Sequence, residues 1–242
     1  MLPPLRLIGH RLCPYVQRVA MVLSQNAIPH SRTDIALDDK PEWFLAVSPT
    51  GNVPVLVIGE DKTLFEAAAI CQYLDGLTWR KLYPTDAYQR ALHQGIAAVG
   101  EKILSLTADL IYRDFSEDRV DVTLHQIDGQ LSIVSELLAS RTIEPDTPLD
   151  MLDMVFATIF RPFPLISVGL NRDLFAGFEA LRKWADGLAR HRTVRAVVPP
   201  TYVAEMHDFV AQKNGYLANR LRMLPSEAFE MAVNRRDNVI PL

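Results

Sequence analysis

Apolar residues change their spacing several times along this chain, and each change marks an element. Leu5 to Ile8 is a short apolar run closed by Gly9-His10-Arg11, after which Val16, Val19, Ala20 and Leu23 recur at helical intervals. That is a strand, a turn and a helix. Ser31 to Ala36 alternates weakly and predicts a second strand. Lys40-Pro41-Glu42 starts a short helical piece through Trp43, Phe44 and Val47, which Ser48-Pro49-Thr50-Gly51 stops. Asn52 to Ile58, the turn Gly59-Glu60-Asp61-Lys62 and Thr63-Leu64-Phe65 read as a hairpin. Pro54 has no amide to give a ladder, so it belongs at the start or edge of its strand, and a cis peptide after Val53 suits that place. Glu66 to Leu77 is helical, with Glu66 in the first turn to complement the helix dipole.

From Thr85 onward strands disappear. Leu92, Ile96, Val99, Ile103, Leu106 and Leu110 step by four and three, as do Val120, Leu124, Ile127, Leu131, Val134 and Leu138. Two long amphipathic helices packed together follow from this. Leu149 to Arg161 is apolar on nearly every side and predicts a buried central helix, capped by Asp150 and Asp153 and ended by Pro162 and Pro164. A further helix is expected from Asn171-Arg172-Asp173 through Leu188, with shorter ones over His191 to Val198 and Tyr202 to Lys213. The pattern divides the chain into an α/β unit over 1–77, a linker over 78–84, an all-helical unit over 85–212 and a mixed, polar extension over 213–242.

Charge narrows the partners. The 242 residues carry a formal net charge of −4, which gives no electrostatic reason to expect nucleic acid or an anionic membrane. The start lacks the pattern of a secretory signal, and no apolar run approaches the length expected of a membrane span. Two cysteines, Cys13 and Cys71, make no disulfide framework and fit a reducing, cytoplasmic setting. Cys71 lies among Ala67, Ile70 and Leu74 at helical spacing and reads as a small core residue. The six histidines show no metal-ligand spacing, so no metal is expected.

Cys13 is where chemistry is expected. Pro14 opens the first helix, which puts Cys13 at its cap with free amides pointing toward the sulfur. The partial positive charge there favours a thiolate. His10, three residues earlier, reads as a loop histidine more readily than as a base.

A strand-helix-strand-helix-hairpin-helix order with Cys13-Pro14-Tyr15, Asn52-Val53-Pro54 and Leu64-Phe65-Glu66, followed by an all-helical unit, resembles the cytosolic glutathione transferases. The Cys-Pro-Tyr segment looks most like the omega class and its bacterial relatives. The resemblance implies an α/β thioredoxin-like N-terminal domain plus an all-α helical-bundle C-terminal domain, glutathione as co-substrate, and a homodimer. It implies that Cys13 pairs with the glutathione sulfur, with Pro14 and Tyr15 beside it. Val53 would offer its backbone to the cysteinyl part of the tripeptide ahead of Pro54, and Glu66 would meet the γ-glutamyl end.

Two positions depart from that family's usual pattern: Ala67 stands where a serine commonly follows the glutamate, and Asn52 where a lysine is expected before the Val-Pro pair. Tyr112, Arg113, Phe115, Arg161 and Phe163, at two helix ends, are candidates for a second-substrate pocket. The implied activity is a glutathione-dependent thiol transferase or reductase working through a mixed disulfide at Cys13, monothiol because Val16 stands where dithiol relatives carry a second cysteine. A small disulfide or dehydroascorbate-type electrophile would be the substrate. A conjugating transferase and a non-catalytic interaction module with a weakened glutathione site are the alternatives. Losing a hydrogen bond to a charged group weakens binding roughly ten- to a hundred-fold. Restoring Ala67→Ser and Asn52→Lys together should therefore raise glutathione affinity in calorimetry, and no gain would refute this placement of the two positions.

Overall fold

The computed structural model describes residues 2–138, 140–144 and 147–224. Its sheet has four strands in the order β2-β1-β3-β4. β1 (Leu5–Gly9) runs parallel to β2 (Ser31–Asp34) and antiparallel to β3 (Val55–Ile58), and β3 is antiparallel to β4 (Lys62–Phe65). Gly9 lies opposite Asp34, Ile8 opposite Val55, and Val55 opposite Phe65. This register brings the C-terminal ends of β1, β2 and β4 and the N-terminal end of β3 to one edge of the unit. The segments holding Cys13, Val53 and Glu66 all leave from that edge.

Both faces of the sheet are covered, which is why β3 reads as an unbroken apolar run. Leu5, Leu7, Leu56 and Ile58 join the main core with residues of α1 (Pro14–Gln25) and α3 (Ala67–Gly76). Ile8, Val55 and Val57 face the other way, onto Ile35 and onto Phe44 of α2 (Glu42–Val47). This is a thioredoxin-like arrangement. β2 is two residues shorter than the alternation suggested, because Ile35 turns under α2 while its amide donates to the Gly9 carbonyl at 2.8 Å. Gly9 has a specific duty: a Cβ there would stand 2.5 Å from both methyl carbons of Val16. The first turn of α1 rests directly on β1, and only glycine leaves room.

The rest of the described chain is helical: α4 (Ala87–Tyr112), α5 (Glu117–Leu138), α6 (Met151–Phe160), α7 (Phe163–Leu170), α8 (Glu179–Arg190), α9 (Arg192–Ala196), α10 (Tyr202–Ala211) and α11 (Tyr216–Arg222). α6 is buried along its whole length. Its start carries the expected capping box, with Asp150 and Asp153 each accepting from the other's amide at 3.0 Å. Asp153 Oδ1 also accepts from Arg141 Nε and from the Trp184 indole, each at 3.1 Å. A folding role for these acids therefore extends to tying α6 to α8.

Several sequence expectations need correction. Pro162 and Pro164 end α6 but also begin a second helix, α7, since proline fits a first turn. The helix expected from Asn171 starts only at Glu179, because Asn171 is the left-handed C-cap of α7, at φ 52°. α6 and α7 together, Met151–Leu170, form a 20-residue stretch apolar enough to cross a membrane, contrary to the expectation that none exists, and most of it is buried in protein. Of the expected extension, Lys213 to Leu224 is tied down, with the Tyr216 amide donating to the Asp114 carbonyl at 2.8 Å and α11 following it. Residues 225–242 lie outside the described residues.

The buried junction at Asp153 yields a stability prediction. Asp153→Ala removes half of the capping box and leaves the Trp184 indole and Arg141 Nε without their acceptor, with Arg141 held only by Asp150, which should cost about 3 kcal/mol. A urea midpoint unchanged within error would refute this account of how α6 is anchored.

Candidate active site

Cys13 is the N-cap of α1 with extended backbone, φ −71° and ψ 120°, and Pro14 occupies the first helical turn. Its amide donates to the His10 carbonyl at 3.0 Å, closing the loop from β1. The amides of Val16 and Tyr15 lie toward its sulfur without closing a cap hydrogen bond, and with the Arg18 charge they pull toward thiolate. Burial outweighs both and pushes the Cys13 thiol up. The expected preformed thiolate is thus corrected for the free chain: the helix terminus is in place, but desolvation of the half-buried side chain outweighs it.

Val53-Pro54 is a cis peptide. Among the described residues, neither the amide nor the carbonyl of Val53 has a hydrogen-bond partner, although β3 begins two residues later. The neighbouring loop is fixed by Ser48 Oγ donating to the Asn52 carbonyl at 2.9 Å and Lys40 Nζ donating to the Gly51 carbonyl at 2.8 Å. Lys40 therefore brings an ammonium to this loop from the segment before α2, where the sequence suggested that Asn52 left none. The Lys-Pro-Glu start of α2 was its only visible signal.

Glu66 is the N-cap of α3 rather than part of its first turn, and its side chain makes no capping bond. Its backbone is strained, at φ 64° and ψ 120°, a region L-residues rarely adopt. The first intrahelical bond runs from the Ile70 amide to the Glu66 carbonyl, so the amides of Ala67, Ala68 and Ala69 are open at the helix start. Ala67 itself is buried.

Other expected residues divide. Tyr15 turns its hydroxyl to Glu101 of α4 and is pushed up to about 12, chiefly by burial. Tyr112 lies close enough to feel the Cys13 charge, and its ring meets Phe209 edge-on at 6.3 Å. Lys213 Nζ stands 4.1 Å from the centre of the Phe209 ring, and His10 is 6.1 Å from the same ring. His10 Nδ1 accepts from the Leu12 amide at 3.3 Å, and burial lowers its pKa, so it serves the loop in its neutral form. Sequence reasoning missed Phe209 and Lys213, because α10 and the turn after it reach this place only through packing. Arg113 pairs with Asp109 on its own helix, and Phe115 is 65% exposed. Arg161 and Phe163 line a different cavity, within the helical unit. The structure does not bring the five second-substrate candidates together.

A thioredoxin-like unit with a cysteine at the start of its first helix, joined to a helical bundle, is the glutathione transferase fold. Residues 12–77 match the family "Glutathione S-transferase, N-terminal domain". Over 214 residues, 87% of each chain, the protein is 35% identical to glutathione S-transferase omega-1 of Sus scrofa. Rice GST1, solved with glutathione, superposes with a TM-score of 0.75 at 21% identity, over 85% of this chain and 96% of that one. Glutathione transferase Omega 3C from Trametes versicolor superposes with a TM-score of 0.69 at 20% identity, over 80% of this chain and 88% of that one. The chain belongs to the glutathione S-transferase family, with omega-class proteins among its relatives.

The burial of Cys13 has a direct readout. Alkylation by iodoacetamide should keep accelerating above the ordinary thiol value of about 8.5, with Cys71 silent because it is fully buried. A rate that levels off near neutral pH would mean that the helix terminus and Arg18 outweigh burial.

Proposed function

We propose that the protein is a glutathione-dependent thiol transferase in which Cys13 carries the reaction. The observation that carries this reading is the convergence of Cys13, the open backbone of Val53 and the open amides of α3 at one edge of the sheet. A tripeptide laid across that edge would pair with Val53 as a short added strand, with its γ-glutamyl carboxylate at the start of α3 and Glu66 near its amino group. Lys40 is suited to the glycyl carboxylate. Because Lys40 already supplies a cation there, the gain expected from restoring the two departing positions should come mainly from Ala67→Ser.

The reaction balances without a metal or a second protein thiol. Cys13 gives up its proton and attacks the glutathionyl sulfur of a mixed disulfide. A bond forms between the two sulfurs, and the substrate leaves as a thiolate that takes up a proton. A second glutathione thiolate then attacks the glutathionyl sulfur held on Cys13, releasing oxidised glutathione and restoring the cysteine. Cys71 is fully buried and pushed up to about 12 by that burial, which suits a core thiol rather than a resolving one. A cytoplasmic homodimer belongs to the same reading, supported by family membership and by two unbridged thiols.

One observation favours a second reading. A Cys13 thiol held protonated by burial can donate a hydrogen bond to a glutathione thiolate, as a conjugating transferase requires. The variants separate the two. Reduction of a glutathione mixed disulfide should vanish in both Cys13→Ala and Cys13→Ser, whereas conjugation of a simple aromatic halide would survive Cys13→Ser. With Cys13 raised in the free chain, kcat/KM for reduction should climb as pH rises past neutrality, because the reactive thiolate accumulates only as pH approaches the raised pKa. Lys40→Met should weaken glutathione binding about ten-fold in calorimetry. Disulfide reduction that persists in Cys13→Ala would overturn the thiol-transferase reading.

A further inference from the structure

Glu205, Phe209 and Lys213 are spaced four residues apart and lie on one line of α10 and the turn that follows it. The first two reach the loop that carries Cys13. Arg11 donates to Glu205 Oε1 at 3.4 Å, and the His10 ring stands 6.1 Å from that of Phe209. The Cys13 amide in turn donates to the His10 carbonyl at 3.0 Å. Lys213 extends the line to the end of α4, with Nζ 4.1 Å from the centre of the Phe209 ring and 5.8 Å from that of Tyr112. Tyr112 completes the cluster, since it is near enough to Cys13 to feel a charge on the sulfur.

Charge in this cluster is one-sided. Glu205 is matched by Arg11, and Asp109 by Arg113. Asp114 lies 3.8 Å from Arg119, and Asp208 lies 3.2 Å from His207. Among the described residues no carboxylate forms an ion pair with Lys213. Arg222 adds a second cation at the same turn, donating to the Ala211 carbonyl at 2.5 Å and the Lys213 carbonyl at 3.0 Å. An ammonium resting on aromatic faces keeps its full charge, and Lys213 is half-buried, so salt screens it less than a charge in open water. Glutathione, in the reading above, lies along Val53 and the start of α3, on the thioredoxin-like unit. Tyr112, Phe209 and Lys213 belong to the helical unit.

We propose that Lys213 is a specificity-determining residue, selecting glutathione mixed disulfides whose other half carries a carboxylate or another anion close to its sulfur. The inference rests on the thiol-transferase reading and names the substrate class of that same site. When Cys13 attacks the glutathionyl sulfur, the other half is the leaving group. An acid group on it meets Lys213, whereas an ammonium meets a like charge and is rejected. The exchange itself is the one balanced above, and the lysine decides only which leaving thiol is held well.

The test uses the full chain and three glutathione mixed disulfides of similar size, made with mercaptopropionate, mercaptoethanol and cysteamine. They present an anion, a neutral hydroxyl and a cation. The readout is the ratio of kcat/KM for the anionic disulfide to that for the cationic one, measured within one protein sample so that any loss of folded protein cancels. The ratio should be about ten at low salt and should shrink as salt is added. Lys213→Arg should keep it, Lys213→Met should bring it below about three, and Lys213→Glu should invert it. A lysine that merely covers Phe209 would leave the ratio unmoved in all three. A ratio near one in the unaltered protein, or a ratio near ten that persists in Lys213→Met, would overturn the proposal. Failure to reduce any of the three disulfides, the neutral one included, would instead overturn the thiol-transferase reading, and this inference with it.

Discussion

The fold depends on α1 being buried on all sides. Val16 to Leu23 are eight consecutive buried residues, and they include Gln17 and Arg18. A helix placed this way must find partners for its polar side chains among its neighbours, and Gln17, Arg18 and Gln25 each reach into the helical unit. Gln17 meets Arg161, Arg18 meets Glu101, and Gln25 bonds to both the amide and the carbonyl of Leu149 at 2.8 Å. On the opposite side Val16 rests on Gly9. The helix that presents Cys13 is therefore also the piece that locks the two halves together. A shift of α1 would cost hydrogen bonds at three places at once, which fixes the sulfur's position far better than a loop would.

That rigidity explains both the strength and the cost of the candidate site. The same packing that turns the Tyr15 and Val16 amides toward the sulfur leaves Cys13 half-buried and raises its pKa. Arg18 moderates this, yet it is itself only 3% exposed, and among the described residues its Nε and Nη2 have no hydrogen-bond partner while Nη1 binds Glu101. The strained backbone of Glu66 fits the same account, because a residue held at φ 64° persists only where its surroundings overdetermine it, and such places concentrate at binding sites.

Much of the site was legible because local signals carry it. Cys-Pro at the start of a helical pattern, a proline at a strand's entrance, and a glutamate ahead of an apolar helix each specify their own neighbourhood. What the pattern could not supply was the company these residues keep. Lys40 stands twelve residues before Asn52, and its role appears only when α2 folds back onto the loop. Phe209 and Lys213 come from α10 and the turn after it, and meet Tyr112 across the bundle. Arg161 and Phe163 looked like residues of the same pocket as Tyr112, since each ends a helix, but helix ends close in pattern need not be close in space.

The sequence by itself determined the element order as far as α6, the capping of α6 and the thioredoxin-like unit, because periodicity, proline placement and caps act within a few residues of one another. Tertiary structure decided the protonation balance at Cys13, the cation that Lys40 brings to the Val53 loop, the splitting of one apolar stretch into α6 and α7, and the placing of Arg161 away from Tyr112. Each of these depends on burial and on contacts between residues far apart in the chain, quantities that no local spacing encodes.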